Sequence, residues 1–182
     1  MGALSGGVYV DARLASLPYD VVTGRAQTRG AGFVELDVGA VLWRFDIPLP
    51  FCGTGCALRG NALEAHANLT QYFGRQTNGE IGAYLMYRTG WAPLPLELRA
   101  NLGIGLGIST AFAPPQLEIA DSDGKKYLTQ MQLPVEIEWW HPALGRASVL
   151  LPRIHHRSGA FGLIAPSGVG SNFIGAGLRF SF

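Results

Sequence analysis

Along most of the chain, apolar residues recur at every second position, and each run stops at a cluster of Gly, Pro, Asn, Asp or charged residues. Residues 33–45 set Val34, Leu36, Val38, Ala40 and Leu42 on one face and Glu35, Asp37 and Gly39 on the other. Residues 63–73 set Leu63, Ala65, Ala67 and Leu69 against Glu64, His66, Asn68 and Thr70. Residues 80–91 set Ile81, Ala83, Leu85 and Tyr87 against Glu80, Gly82, Tyr84 and Arg88. The cleanest run, 96–109, alternates Leu and Ile with Glu97, Arg99, Asn101 and a row of glycines. Residues 127–139 repeat the pattern, and 7–14, 147–158 and the last stretch to Phe182 complete the set. A period of two means extended chain with successive side chains on opposite faces. Eight such segments predict an all-β protein, and eight is the smallest common even strand number for a membrane barrel.

The chemistry of the two faces decides which way they point. One is unbroken Leu, Ile and Val, which suits lipid. The other is Gly, Asn, Gln and paired Glu and Arg, which suits a narrow interior held by ion pairs and hydrogen bonds. A soluble sandwich or lipocalin-like barrel, the competing reading, would turn its apolar face inward and its charged face to water. Tyr87, Trp91, Tyr127, Trp139 and Trp140 fall near strand ends, where aromatic girdles sit at the membrane interface. The expected fold is therefore an eight-stranded antiparallel transmembrane β-barrel, with residues 1–182 as a single domain in the bacterial outer membrane. An even strand number puts both termini on the periplasmic side. The connections at 47–61, 91–95 and 141–146 are then periplasmic, and those at 16–32, 75–79, 111–126 and 159–170 are extracellular loops.

Composition agrees. Apolar residues make up 48% of the 182 residues and charged ones 15%, too few charges for a water-facing surface. No window of eighteen consecutive apolar residues predicts a transmembrane helix. A net charge of +1 argues against nucleic acid as a partner. The leading MGALSGG lacks a basic region and an apolar core, so it is not the signal peptide an exported barrel needs. Cys52 and Cys56, in FCGTGC, are expected on the periplasmic side, either joined as a disulfide or as two free thiols. Two cysteines are too few for a zinc site, and His66, His141, His155 and His156 scatter over lumen, turn and exterior, so neither a metal nor another cofactor is expected.

The candidate chemistry lies on the seventh strand. Leu150, Pro152, Ile154, His156 and Ser158 read as one lipid-facing row, and Arg153, His155 and Arg157 as the lumenal row, opposite Glu136 and Glu138. A histidine and a hydroxyl continuing an apolar row are costly unless they have a use or the strand has already reached the headgroups. Asn172, on the even-numbered face of the last strand, reaches the same patch. Ser158, His156 and Asn172 can serve as nucleophile, base and orienting group. No GxSxG elbow is present, which excludes an α/β-hydrolase site.

His156-x-Ser158, followed by a loop and a last strand ending in an aromatic residue, resembles the lipid A 3-O-deacylase (PagL) family of outer-membrane barrels. RIHHRSG…GSNFIGAGLRFSF is also similar to an uncharacterised, acyloxyacyl hydrolase-like branch often grouped with it. The resemblance implies an esterase that removes an ester-linked acyl chain from lipid A of lipopolysaccharide. Ser158 attacks, His156 takes the proton, and the Gly159 amide helps hold the oxyanion. Arg157, or Lys125 and Lys126, lies near the phosphates of a lipid that arrives laterally from the outer membrane. Two positions depart from the family. Its catalytic Glu slot holds Asn172, and the Asn that usually follows the Ser is Gly159. Glu118, Asp121 or Asp123 of the neighbouring loop is a possible substitute acid. The alternatives are a non-catalytic barrel that binds lipid or a partner and a small channel, for which eight strands leave little room; a homodimer is compatible with each reading.

Overall fold

The protein is described from a computed structural model that covers residues 1–12, 14–49, 57–120, 126–166 and 169–182. Cys52, Cys56, Asp121, Asp123 and Lys125 lie outside the described residues. Eight long strands run in chain order: β1 (Gly2–Tyr9), β2 (Ala31–Pro48), β3 (Ala57–Gly74), β4 (Gly79–Arg88), β5 (Arg99–Ala111), β6 (Thr129–Trp140), β7 (Ala147–Ser158) and β8 (Gly170–Phe180). Each pairs antiparallel with the next. β1 also pairs with β8, from Gly2↔Phe180 to Tyr9↔Phe173, and this closes the ring. A two-residue strand, Ala92–Pro93, folds against the start of β5. Among the described residues, two short α-helices, α1 (Leu17–Val22) and α2 (Gln116–Ala120), and two 3₁₀ turns, Pro142–Leu144 and Ala160–Gly162, interrupt the loops.

The wall is turned inside out relative to a water-soluble protein. Leu36, Val38, Leu69, Leu85, Leu106 and Ile108 are all at least half exposed on the outside. Inside, seven buried carboxylates (Glu35, Asp37, Glu64, Glu80, Glu118, Glu136, Glu138) face four buried guanidiniums (Arg88, Arg153, Arg157, Arg179) and two imidazoles among the described residues. Arg153 pairs with Glu35 and Glu136, Arg88 with Glu64, Glu136 and Glu138, and Arg179 with Glu64 and Glu138. Each imidazole bridges two acids: His66 lies between Asp37 (2.6 Å) and Glu64 (3.0 Å), and His155 between Glu35 (3.0 Å) and Glu80 (3.3 Å). Ions out of water are tolerated only when paired this closely. With an apolar belt outside and paired charges inside, this is an eight-stranded antiparallel transmembrane β-barrel. Lumenal glycines make the room: a Cβ at Gly107 would lie 2.5 Å from Cα and Cβ of Tyr84.

The barrel ends differ. Trp43, Phe45, Tyr87, Trp91, Trp139 and Trp140 collect toward the end that carries both termini, and Trp140 Nε1 donates to Gly145 O at 2.9 Å. At the other end the lumen is stoppered by Tyr9, Phe33, Tyr72 and Phe173, with ring centroids 5.0–6.4 Å apart, and by Leu117 of α2 above them. An interior filled this way leaves no open pore among the described residues, which argues against the channel reading.

Several expected boundaries move. β1 starts at Gly2 rather than at residue 7, and much of the expected turn 47–61 is strand. Leu96 and Glu97 leave the expected strand because both take positive φ (61° and 60°) in a tight turn before Arg99. The loop 16–32 contains α1, a six-residue helix too short to stand by itself. It forms because Leu17 and Val21, four residues apart, share one face. Leu17 packs, fully buried, on Val10 and Ile154 outside the barrel wall. The consequential difference is in β7. Between Leu150 and Arg153 its register slips by one residue against both neighbours. The extra residue exchanges the two faces. Leu150, expected among the lipid-facing row, is instead fully buried in the lumen.

Candidate active site on the outer wall

Beyond the bulge, odd-numbered residues of β7 point inward and even-numbered ones outward. Arg153, His155 and Arg157 are buried in the lumen, while Ile154, His156 and Ser158 lie on the outside. The β7–β8 ladder sets His156 opposite Asn172 and Ser158 opposite Gly170. The pairing brings the three sequence-predicted residues to one patch at the loop end of the wall.

The hydrogen bonds there fix both side chains. Asn172 Nδ2 donates to the carbonyl of Ala12 at 2.7 Å, and a carbonyl can only accept. That turns Oδ1 toward His156 Nδ1, 2.7 Å away. An amide oxygen also only accepts, so the neutral imidazole carries its proton on Nδ1 and presents Nε2 as the free base. Ser158 Oγ makes no hydrogen bond to His156 among the described residues. In unliganded hydrolytic sites this contact commonly tightens only when substrate arrives.

Below the pair the wall opens into an apolar groove of about 590 Å³. Leu17, Val21 and Val22 of α1 form one side, and Leu151, Pro152 and Ile154 of β7 with Ile174 of β8 form the other. Ile154 shares a face with His156, so the groove starts one strand repeat from the imidazole. The sequence reading missed it. The signal was present in the Leu17/Val21 spacing inside a stretch expected only as an extracellular loop.

Other expected residues lie elsewhere. Arg157 is fully buried in the lumen, with Nε 3.0 Å from Glu80 and Nη1 3.0 Å from Glu118, so it faces away from any lipid phosphate. Glu118 is likewise inside the barrel mouth, held by Arg157, Ser171 and Gln130, and cannot serve His156 on the opposite side of the wall as a substitute acid. Burial raises the Glu118 carboxyl above the usual range, with Glu80 adding to it against the pull of Arg157. The Gly159 amide donates to Val169 O at 3.2 Å and is thereby engaged. Lys126 is exposed at the loop end. His141 accepts from Ala143 N in a turn at the opposite end, apart from the two lumenal histidines and from His156.

Fold and site together define a class: a transmembrane barrel with an oriented histidine and a serine on its outer wall, above an apolar groove. No family model matches the sequence, and no curated protein matches it either. Among solved structures, the crystal structure of the outer membrane enzyme PagL superposes over 100% of both chains with a TM-score of 0.60 at 13% identity. At that identity the likeness is one of fold.

Proposed function

We propose that this chain is a single-domain outer-membrane esterase that removes an ester-linked acyl chain from lipid A. The observation that carries the reading is the outward placement of His156 and Ser158 above an apolar groove, with His156 Nδ1 already engaged by Asn172. A lipid in the outer leaflet would reach this patch laterally, its acyl chain along Val21, Pro152 and Ile174 and its ester at Ser158. Ser158 Oγ attacks the ester carbonyl while His156 Nε2 takes the hydroxyl proton and returns it to the leaving sugar oxygen. Water then hydrolyses the acyl-serine by the reverse proton path. The neighbouring amide of Ala160, in the left-handed region (φ 53°) and without a hydrogen bond among the described residues, is better available to the oxyanion than the engaged Gly159 amide. Exposed cations at the loop end, Arg25 and Lys126, suit the anionic headgroup in place of Arg157.

A second reading, a barrel that binds lipid without cleaving it, is favoured by one feature: Asn172 orients the imidazole but cannot neutralise an imidazolium. Mass spectrometry of lipid A from cells with and without the protein separates the two. Loss of one ester-linked acyl chain only when wild-type protein is present supports the esterase. Unchanged lipid A with the folded barrel in the membrane supports the binder.

A further inference from the structure

On the lumenal side of the same two strands, directly behind the outward patch, lies a second constellation that the reaction does not touch. Arg157 stands between His156 and Ser158 in β7, and Ser171 stands between Gly170 and Asn172 in β8. They are ladder partners. Both side chains converge on one atom of α2: Glu118 Oε1 accepts from Arg157 Nη1 at 3.0 Å and from Ser171 Oγ at 2.8 Å. Glu118 Oε2 accepts from Gln130 of β6. Arg157 is held further by Ser109 Oγ (3.1 Å), the Leu128 carbonyl (2.8 Å) and Glu80 (3.0 Å). All of these side chains are buried.

We propose that Glu118 and Arg157 are positioning residues, a clamp inside the barrel mouth that fixes β7 against β8 so that Ser158, His156 and Asn172 stand in register on the outer wall. The proposal rests on the esterase reading. The physical reason is alternation: in a strand, fixing residue 157 from inside fixes the backbone that carries 156 and 158 outside. At its bulge β7 has lost regular pairing to both neighbours between Leu150 and Arg153. Beyond the bulge Arg153 to Ser158 pair regularly with both neighbours again, and the inward side chains anchor the loop end of this short ladder. Proximity effects are steep, and a displacement of about 1 Å can cost about a hundredfold in rate. Glu118→Gln weakens the clamp selectively, because it removes the charge that faces Arg157 while a flipped Gln130 amide can still accept from the new NH₂.

The test uses purified barrel in detergent micelles and a long-chain alkyl fluorophosphonate. Ser158 Oγ bonds to phosphorus, fluoride leaves, and the hydroxyl proton passes to His156. Labelling of wild type but not of Ser158→Ala is the first requirement; wild type left unlabelled removes the esterase reading and the clamp with it. Given labelling, Glu118→Gln and Arg157→Gln should each lower the maximal labelling rate, kinact, about ten- to a hundredfold. The probe concentration for half-maximal rate, KI, should stay within about twofold, because the groove is intact. The double variant should be no slower than the worse single one, since the two residues act as a unit. Ser171→Ala, a smaller change suited to the case in which the charge variants fail to fold, should lower kinact about threefold to tenfold. Wild-type kinact in folded Glu118→Gln or in Ser171→Ala, or a change confined to KI, overturns the clamp while leaving Ser158 as nucleophile.

Discussion

Replacing Arg153 by Met tests whether the lumen is held by buried ion pairs that water does not reach. The side chain is 3% exposed and joins Glu35 to Glu136, with Asp37 3.6 Å away and Tyr84 Oη at 3.4 Å. Methionine fills most of the volume but returns no charge. Removing one partner of a buried pair costs about 3–5 kcal/mol, because the remaining ions stay out of water. The surroundings soften this. Glu35 keeps His155 Nδ1 (3.0 Å), Asn68 Nδ2 (2.7 Å) and Thr70 Oγ1 (3.1 Å), and Glu136 keeps Arg88 (2.6 Å). The expected loss is therefore at the lower end, about 3 kcal/mol. Reversible urea unfolding in phospholipid vesicles, followed by tryptophan fluorescence, measures it. Arg29→Met supplies the contrast, since Arg29 pairs with the half-exposed Asp11 at 2.7 Å and such pairs contribute about 0–1 kcal/mol. An Arg153→Met loss no larger than that of Arg29→Met would mean that water reaches the stripped carboxylates, and the dry interior would be refuted.

Other outcomes follow from the outer wall and the mouth. His156→Ala and Ser158→Ala should each abolish acyl release from lipid A, read by mass spectrometry, while the unboiled barrel keeps its shifted gel mobility. Val21→Asp puts a charge in the groove and should cut acyl release at least tenfold, with far-ultraviolet circular dichroism unchanged, because a carboxylate beside Pro152 and Ile174 opposes an acyl chain by more than about 1.4 kcal/mol. Asn172→Asp gives the imidazolium a charged partner and should raise kinact toward a fluorophosphonate, whereas Asn172→Ala should lower it. For Glu118 the folded carboxyl is raised by burial, so its proton is held more tightly in the folded protein than in the unfolded. Its stabilising contribution is complete below the unfolded value of 4.5 and is lost as pH rises through the folded one. The unfolding free energy of wild type minus that of Glu118→Gln should therefore fall as pH rises from 4.5, and a rise over that range would show the sign to be wrong.

The strands were legible because lipid and lumen impose opposite chemistries at a strict period of two. Leu36, Val38, Leu106 and Ile108 point outward and Glu35, Asp37 and Glu136 inward, as their alternation requires. The bulge in β7 was not, because an extra residue among Leu150, Leu151 and Pro152 leaves an apolar run that looks continuous. Only pairing with β6 and β8 shows that the faces exchange there. The outward direction of His156 and Ser158 was nevertheless readable, since both lie beyond the bulge. Arg157 and Glu118 were harder. Alternation put Arg157 in the lumenal row, although the resemblance also set it near a phosphate; the burial of Glu118 depends on α2 dropping into the mouth, a five-residue element with too little sequence to show a period.

Asn172 links the imidazole to the groove wall. A carboxylate at this position would orient His156 and offset its charge, but it would also face the Ala12 carbonyl with a second acceptor. The amide offers one acceptor and one donor, and the structure uses both, at 2.7 Å each. Ala12 belongs to the segment that leaves β1 and leads into α1, and Ala12 packs with Leu17 and Ile154 above the groove. Asn172 therefore ties the imidazole to the segment that forms the groove wall. Val10 strengthens the tie, its amide donating to the Asn172 carbonyl at 2.8 Å. A carboxylate would gain electrostatic stabilisation of the imidazolium and lose this tether, so the two effects of Asn172→Asp have opposite signs. A hydrogen bond to a charged group contributes about 1.5–3 kcal/mol against about 0.5–1.5 for a neutral one. The kinact of a fluorophosphonate, read after the probe is bound, should register the electrostatic gain, while acyl release from a lipid whose chain must settle against α1 should register the lost tether as well. The ratio of the two rates in Asn172→Asp, compared with wild type, therefore reports how far the groove depends on the same residue that holds the base.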